Sequence, residues 1–212
     1  MMPPRPPRVY LIADPLRVAN LRVRVASAMR GLPPGSVAVQ VRAPGASGRE
    51  LLAQVRAIQG PVRECGQLLV VNDRIDVALA AGADGVHLPS AGIPPADARR
   101  LLGEGRLVGV SCHSSLDVAR ALAGGADFAT FGPIFDTPSK RAYGAPVGLE
   151  RLAEAARLGL PLLGLGGVDL SNAAEVVDAG ASGLAVVRIW LEADDPAAVV
   201  RALLDAVERR RR

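Results

Sequence analysis

Lysine is almost missing from this chain. A single one, Lys140, stands among 25 basic residues, so nearly all the positive charge is carried by arginine. Aromatic residues make up only 3% of the sequence and do not interleave with basic clusters. That removes the stacking platforms on which nucleobases are usually held. The net charge of +4 sits largely in the end segments "MMPPRPPR" and "ERRRR". A Lys-poor, Arg/Ala/Gly/Pro-rich composition reflects genome base bias rather than a polyanion partner, so no nucleic acid is expected. There are only two cysteines, Cys65 and Cys112, far apart and without CxxC spacing. They are expected to be buried free thiols of a reducing compartment. Long hydrophobic runs are also absent: "VYLIA" stops at Asp14 after five residues. No membrane partner and no leader are expected, and the location is expected to be cytoplasmic.

What the chain does have is hydrophobic content of 50%, enough to build a substantial core over 212 residues. Eight β-rich runs recur: "VYLIAD", "VAVQVR", "QLLVVN", "GVHLPS", "LVGVSC", "FATFGP", "PLLGLGG" and "GLAVVR". Helical segments such as "DVALAAG" and "LERLAEAARLG" lie between them, several closing on the glycine expected past a helix end. Strand–helix alternation implies parallel strands with right-handed crossovers. The rival is an open doubly wound sheet, but no GxGxxG follows the first strand. Glycines gather late instead, where barrels commonly hold a phosphate. The expected fold is α/β, a single-domain (β/α)8 TIM barrel over residues 9–210.

Strand parity then selects a mouth. In "VAVQVR" the valines share one face, and Ala38, Gln40 and Arg42 the other. In "LVGVSCH", Val108, Val110 and Cys112 oppose Gly109, Ser111 and His113. Arg42, Asn72, Ser90, Ser111 and His113 should therefore ring the C-terminal end, with Lys140 on a loop above. His113 has the chemistry of an acid/base at neutral pH, or of a strand-end hydrogen bonder. Ser114 or Ser115 should cap the helix that follows it. His87, inside strand 4, is expected to be packed and structural. Gly166 and Gly167 precede a helix with Ser171 as its expected N-cap, and Arg188 is expected to end strand 8. Together they form a candidate phosphate site, although a tight turn also uses glycines. Asp73 is either a magnesium ligand or a helix-start carboxylate.

The stretches "VNDRIDVALAAGADGVHL", "GVSCHS", "GADFATFGPIFDTPSK", "GLGGV" and "NAAEVVDAGASGLAVV" resemble the thiamine phosphate synthase/thiazole tautomerase (TenI-type) family. The resemblance implies a phosphorylated thiazole as ligand and a place in thiamine biosynthesis. The synthase branch joins a pyrimidine pyrophosphate to thiazole phosphate with Mg²⁺. Its Gln-x-Arg-x-Lys would fall on Gln40, Arg42 and Pro44, its first metal Asp on Asp73 and its second on Gly92. Its loop Lys matches Lys140 and its Ser matches Ser111. Two charged groups are thus missing. The tautomerase branch needs neither, and its histidine falls on His113. Arg188 stands where the family often has Ser. The expectation is an isomerase, a thiazole tautomerase with His113 as acid/base and no cofactor. The alternatives are a synthase using Mg²⁺, and a non-catalytic binding barrel. The expected partner is a small thiazole phosphate, with homodimer formation left open.

Overall fold

The computed structural model of the protein describes residues 5–15, 18–137 and 145–210. Eight strands are present: β1 (Val9–Ala13), β2 (Val37–Val41), β3 (Leu68–Asn72), β4 (Gly85–Leu88), β5 (Leu107–Cys112), β6 (Phe128–Phe131), β7 (Leu162–Leu165) and β8 (Gly183–Val186). Each pairs in parallel with the next, and β8 returns to β1, closing the sheet. The expected (β/α)8 barrel is the observed one. Around it run α1 (Leu21–Met29), α2 (Gly48–Glu64), α3 (Ile75–Ala81), α4 (Pro95–Leu102), α5 (Ser115–Ala123), α6 (Gly148–Ala156), α7 (Ala173–Asp178), α8 (Arg188–Leu191) and α9 (Pro196–Arg209). Among the described residues no helix is long and apolar enough to cross a membrane.

The period-2 pattern sorts side chains into two cores. The outward set, including Val37, Val39, Val41, Val108, Val110 and Cys112, packs under the helices. The inward set, Tyr10, Ile12, Ala38, Val70, Leu107, Phe128, Leu163 and Ala185, fills the lumen. A barrel of eight strands has an interior that side chains fill, so this is a plug and not a pore. Cys112 is fully buried, as expected, whereas Cys65 is only half-buried.

Two sequence expectations shift by a residue or two. Strand 8 stops at Val186, and Arg188 opens the short helix α8 instead of ending the strand. Ser171 is not the N-cap of α7; Asn172 is. Asp169 takes the serine, its Oδ1 accepting from Ser171 Oγ at 2.6 Å and from Ser171 N at 2.8 Å. A hydroxyl tied into that turn is not available to the helix, which starts later. Ser114 does cap α5, its side chain accepting from Asp117 N.

The bottom of the barrel is stitched by a recurring segment, "AGADG" (81–85) and "GGADF" (124–128). In both, the Asp backbone N–H donates to the carbonyl of the second residue of the neighbouring strand, and its carboxylate accepts from that same residue's N–H. Asp84 does this with Leu69, and Asp127 with Val108. Asp127 also pairs with Arg99 at 2.6 Å, both side chains being largely covered. Asp127→Ala should strip the Val108 N–H of its acceptor and lower the unfolding free energy by about 1.5–3 kcal/mol, the range for a hydrogen bond to a charged group. Arg100→Ala, which breaks an exposed pair with Asp97, should change it by less than about 1 kcal/mol. Denaturant midpoints for the two variants check the contrast.

Candidate active site

All eight strands are parallel, so their C-terminal ends open on one rim. Arg42 follows β2 directly, with its side chain exposed. Asn72 ends β3 and is half-buried, and its Oδ1 accepts from Gln40 Nε2 at 3.0 Å. Gln40 itself is only 2% exposed, so its amide forms part of the floor beneath the rim. Ser111, near the end of β5, is half-buried, and His113 just beyond is exposed. Gly166, Gly167 and Arg188 follow β7 and β8 on the same side. The sequence-chosen residues are thus brought to one end, with Ser90 exposed after β4. Lys140 lies outside the described residues.

His113 is held by two bonds. Its backbone N–H donates to Asp117 Oδ2 at 3.0 Å, and its ring Nδ1 lies 2.5 Å from the Gly132 carbonyl. A carbonyl only accepts, so Nδ1 carries the hydrogen and Nε2 is the atom left for another contact. The bond also ties the end of β5 to the loop after β6.

The loop after β7 is shaped by close approach. Gly166 and Gly167 have φ of 96° and 67°. A Cβ on Gly166 would lie 2.6 Å from Pro133, and one on Gly167 would lie 2.7 Å from Phe135 Cβ. Both glycines are therefore required by packing against the β6 loop, whatever they also hold. Asn172 Nδ2 donates to the Gly167 carbonyl at 2.9 Å, which anchors the turn.

Asp73 is exposed on the rim and adopts a left-handed backbone, φ 63°. Its N–H donates to the His87 carbonyl at 2.9 Å, and this fixes the turn that carries the carboxylate. Gly92, after β4, sits in a tight turn closed by Gly92 N–H to the Pro89 carbonyl. A Cβ there would meet Pro89 Cδ at 2.9 Å, so a larger residue would have to push the ring aside. Among the described residues no three His, Cys, Asp or Glu gather as a metal cage.

Beneath the rim, His87 lies against Tyr10 and Phe128, with ring centroids 5.6 and 5.8 Å away. Its Nε2 is 3.1 Å from Ser111 Oγ and 3.2 Å from Thr130 Oγ1. Burial pushes its pKa down to about 3. The expectation of a packed His87 is met. Its link to a rim residue was not read from the sequence, nor was Thr130. Parity could have found Thr130, since Ser111 and Thr130 are register partners on β5 and β6.

The family model for thiamine monophosphate synthase matches residues 9–189. The chain belongs to that family. It is 44% identical over 199 residues to the thiamine-phosphate synthase of Roseiflexus sp. strain RS-1, covering 92% of this chain and 83% of that one. To the thiamine-phosphate synthase of Chloroflexus aurantiacus it is 40% identical over 199 residues, covering 92% and 90%. The solved structure of a thiamine phosphate pyrophosphorylase from Pyrococcus furiosus superposes with a TM-score of 0.84 at 30% identity, covering 95% and 96%. These names overturn the expectation of a thiazole tautomerase and of an isomerase. The losses at Gly92 and Pro44 are what had favoured that branch.

The neutral His87 has a consequence for stability against pH. Its folded pKa lies below the ordinary 6.5, so the unfolded chain binds more protons in between. Stability should fall as pH drops below about 6.5, by up to about 1.4 kcal/mol per pH unit from this group. His87→Gln should lose that slope between about pH 5 and 6.5, above most carboxylate titration. Urea unfolding of both proteins across that window gives the comparison.

Proposed function

We propose that this chain is a thiamine-phosphate synthase, a transferase that joins a pyrimidine pyrophosphate to a thiazole phosphate and releases pyrophosphate. The observation that carries the proposal is the synthase name of relatives spanning nearly the whole chain. The rim supports it with groups of suitable chemistry. A bond forms to the thiazole while the bond to pyrophosphate breaks, and the leaving group takes both electrons. Arg42 offers a planar fork for pyrophosphate oxygens. Gln40, Asn72 and Ser111 present polar groups to the pyrimidine compound from the floor. Gly166, Gly167 and Arg188 would hold the thiazole phosphate across the mouth, and Lys140 would be a further cation for a substrate anion. His113, with Nδ1 committed to Gly132, has Nε2 left for a substrate contact.

The family implies Mg²⁺, and the donor set fits one kind of site. Asp73 is an exposed carboxylate on a fixed turn, and among the described residues no acidic cage surrounds it. Magnesium is usually held by one or two carboxylates plus substrate phosphates and water. Asp73 would hold an ion whose other ligands come largely from the substrate. Bound there, magnesium would offset the charge that develops on the departing pyrophosphate.

Both substrates mixed with Mg²⁺ should give thiamine phosphate and pyrophosphate in equal amounts, and a chelator should stop the reaction. Formation of neither product would remove the synthase assignment and leave a binding barrel. Arg188→Ala should weaken thiazole phosphate binding by about 1.5–3 kcal/mol, the range for a hydrogen bond to a charged group. An unchanged dissociation constant in calorimetry would take Arg188 out of the phosphate site.

A further inference from the structure

The proposed chemistry leaves one buried group unused. His87 is 3% exposed and lies inside the lumen directly below the rim. Its Nε2 faces two hydroxyls, Ser111 Oγ at 3.1 Å and Thr130 Oγ1 at 3.2 Å. Its Nδ1 is buried without a hydrogen-bond partner among the described residues. Gly109 makes room on that side: a Cβ there would stand 2.7 Å from Nδ1 and 2.4 Å from Phe128 Cζ. The ring is therefore walled in by Tyr10, Phe128 and the β5 backbone, and has little freedom to turn.

A neutral imidazole carries one N–H, and the surroundings decide where. With the hydrogen on Nδ1, a donor would be buried with no acceptor, and two hydroxyls would compete for one lone pair on Nε2. With the hydrogen on Nε2, the ring donates to the hydroxyl oxygens, and the unpaired atom is an acceptor. Unpaired buried N–H groups are the rarer and costlier of the two. The second arrangement wins.

We infer that His87 is a positioning residue whose Nε2–H donates to Ser111 Oγ, so that the Ser111 hydroxyl hydrogen points out of the floor as a donor to an acceptor atom of the substrate. A serine hydroxyl has one hydrogen and two lone pairs. With a lone pair engaged from below, its hydrogen is free to serve the mouth. Ser111 is half-buried on the inner face of β5, where a wrongly turned hydroxyl would meet a substrate acceptor lone pair to lone pair. The inference rests on the synthase assignment only for the identity of the substrate that meets Ser111.

The first test needs no activity. In protein labelled with ¹⁵N-histidine, the His87 hydrogen should couple to Nε2, and Ser111→Ala should shift that resonance. A hydrogen on Nδ1 overturns the inference whether or not the protein is a synthase. The second test uses the complete assay with both substrates and Mg²⁺. His87→Gln, whose amide N–H reaches near the Nε2 position, should keep kcat/KM within about threefold. His87→Leu should lower it by about tenfold or more, a hydrogen bond's worth, and adding Ser111→Ala to His87→Leu should cost little further. Wild-type activity in His87→Leu, or a full additional loss from Ser111→Ala in that background, would overturn it. Should His87→Leu not fold, a folded but inactive His87→Gln would do the same. Wild-type protein that makes no thiamine phosphate would end the synthase assignment alone, since the labelled spectrum still decides the tautomer.

Discussion

The mouth of this barrel stands on an aromatic plug. Tyr10, His87 and Phe128 meet within 5.5–5.8 Å between ring centres, reaching one another from β1, β4 and β6. Such a packing needs space that ordinary residues would fill. Gly109 supplies it, because a side chain there would strike both Phe128 and His87. Everything above the plug takes its height from this contact. Strand closure alone places the rim residues on one circle, while the plug decides how deep the floor lies and which polar atoms form it.

Around that floor the polar and apolar halves separate. Gln40 bonds Asn72 across β2 and β3, and His87 bonds Ser111 and Thr130 across β4, β5 and β6. On the other side of the lumen the residues packed against this cluster are apolar: Leu165 of β7, Val187 just past β8 and Ile12 of β1. A ligand with one hydrogen-bonding edge and one apolar edge is matched by such a division. Among the described residues the buried atoms Tyr10 OH and His87 Nδ1 have no hydrogen-bond partner, so the cluster gives up some stability for a fixed floor.

Much of the architecture was legible because it depends on local periodicity. Alternation in "VAVQVR" and "LVGVSCH" put the valines and Cys112 outward and Ala38 and Ser111 inward, as they pack, and the strand–helix repeat yielded the closed sheet. What failed was local chemistry among neighbours. Ser171 has the composition of an N-cap, but Asp169 two residues earlier competes for it and takes its hydroxyl. Arg188 looked like a strand end, yet β8 stops at Val186 and the chain turns at once into α8. The His87–Ser111 link joins residues 24 apart in sequence on adjacent strands, and parity alone says only that both point inward.

The failure over function has a different cause. The expectation drawn from Gly92 and Pro44 treats each charged position as a separate, necessary task. Electrostatic stabilisation of a leaving pyrophosphate depends on the summed field at its oxygens, not on which residue supplies it. Asp73 is held on its turn by the His87 carbonyl, and Arg42 stands exposed just past the neighbouring strand β2, so the rim keeps a carboxylate and a guanidinium fork. The turn from Pro89 to Gly92 closes on its own backbone and leaves no room for a side chain at Gly92 without displacing Pro89. The chain carries no acid at that position, and an ion held chiefly by its substrate does not require one. The physical lesson is that the loss of a ligand argues against a function only when nothing else in the complex, the substrate included, is able to supply the same charge.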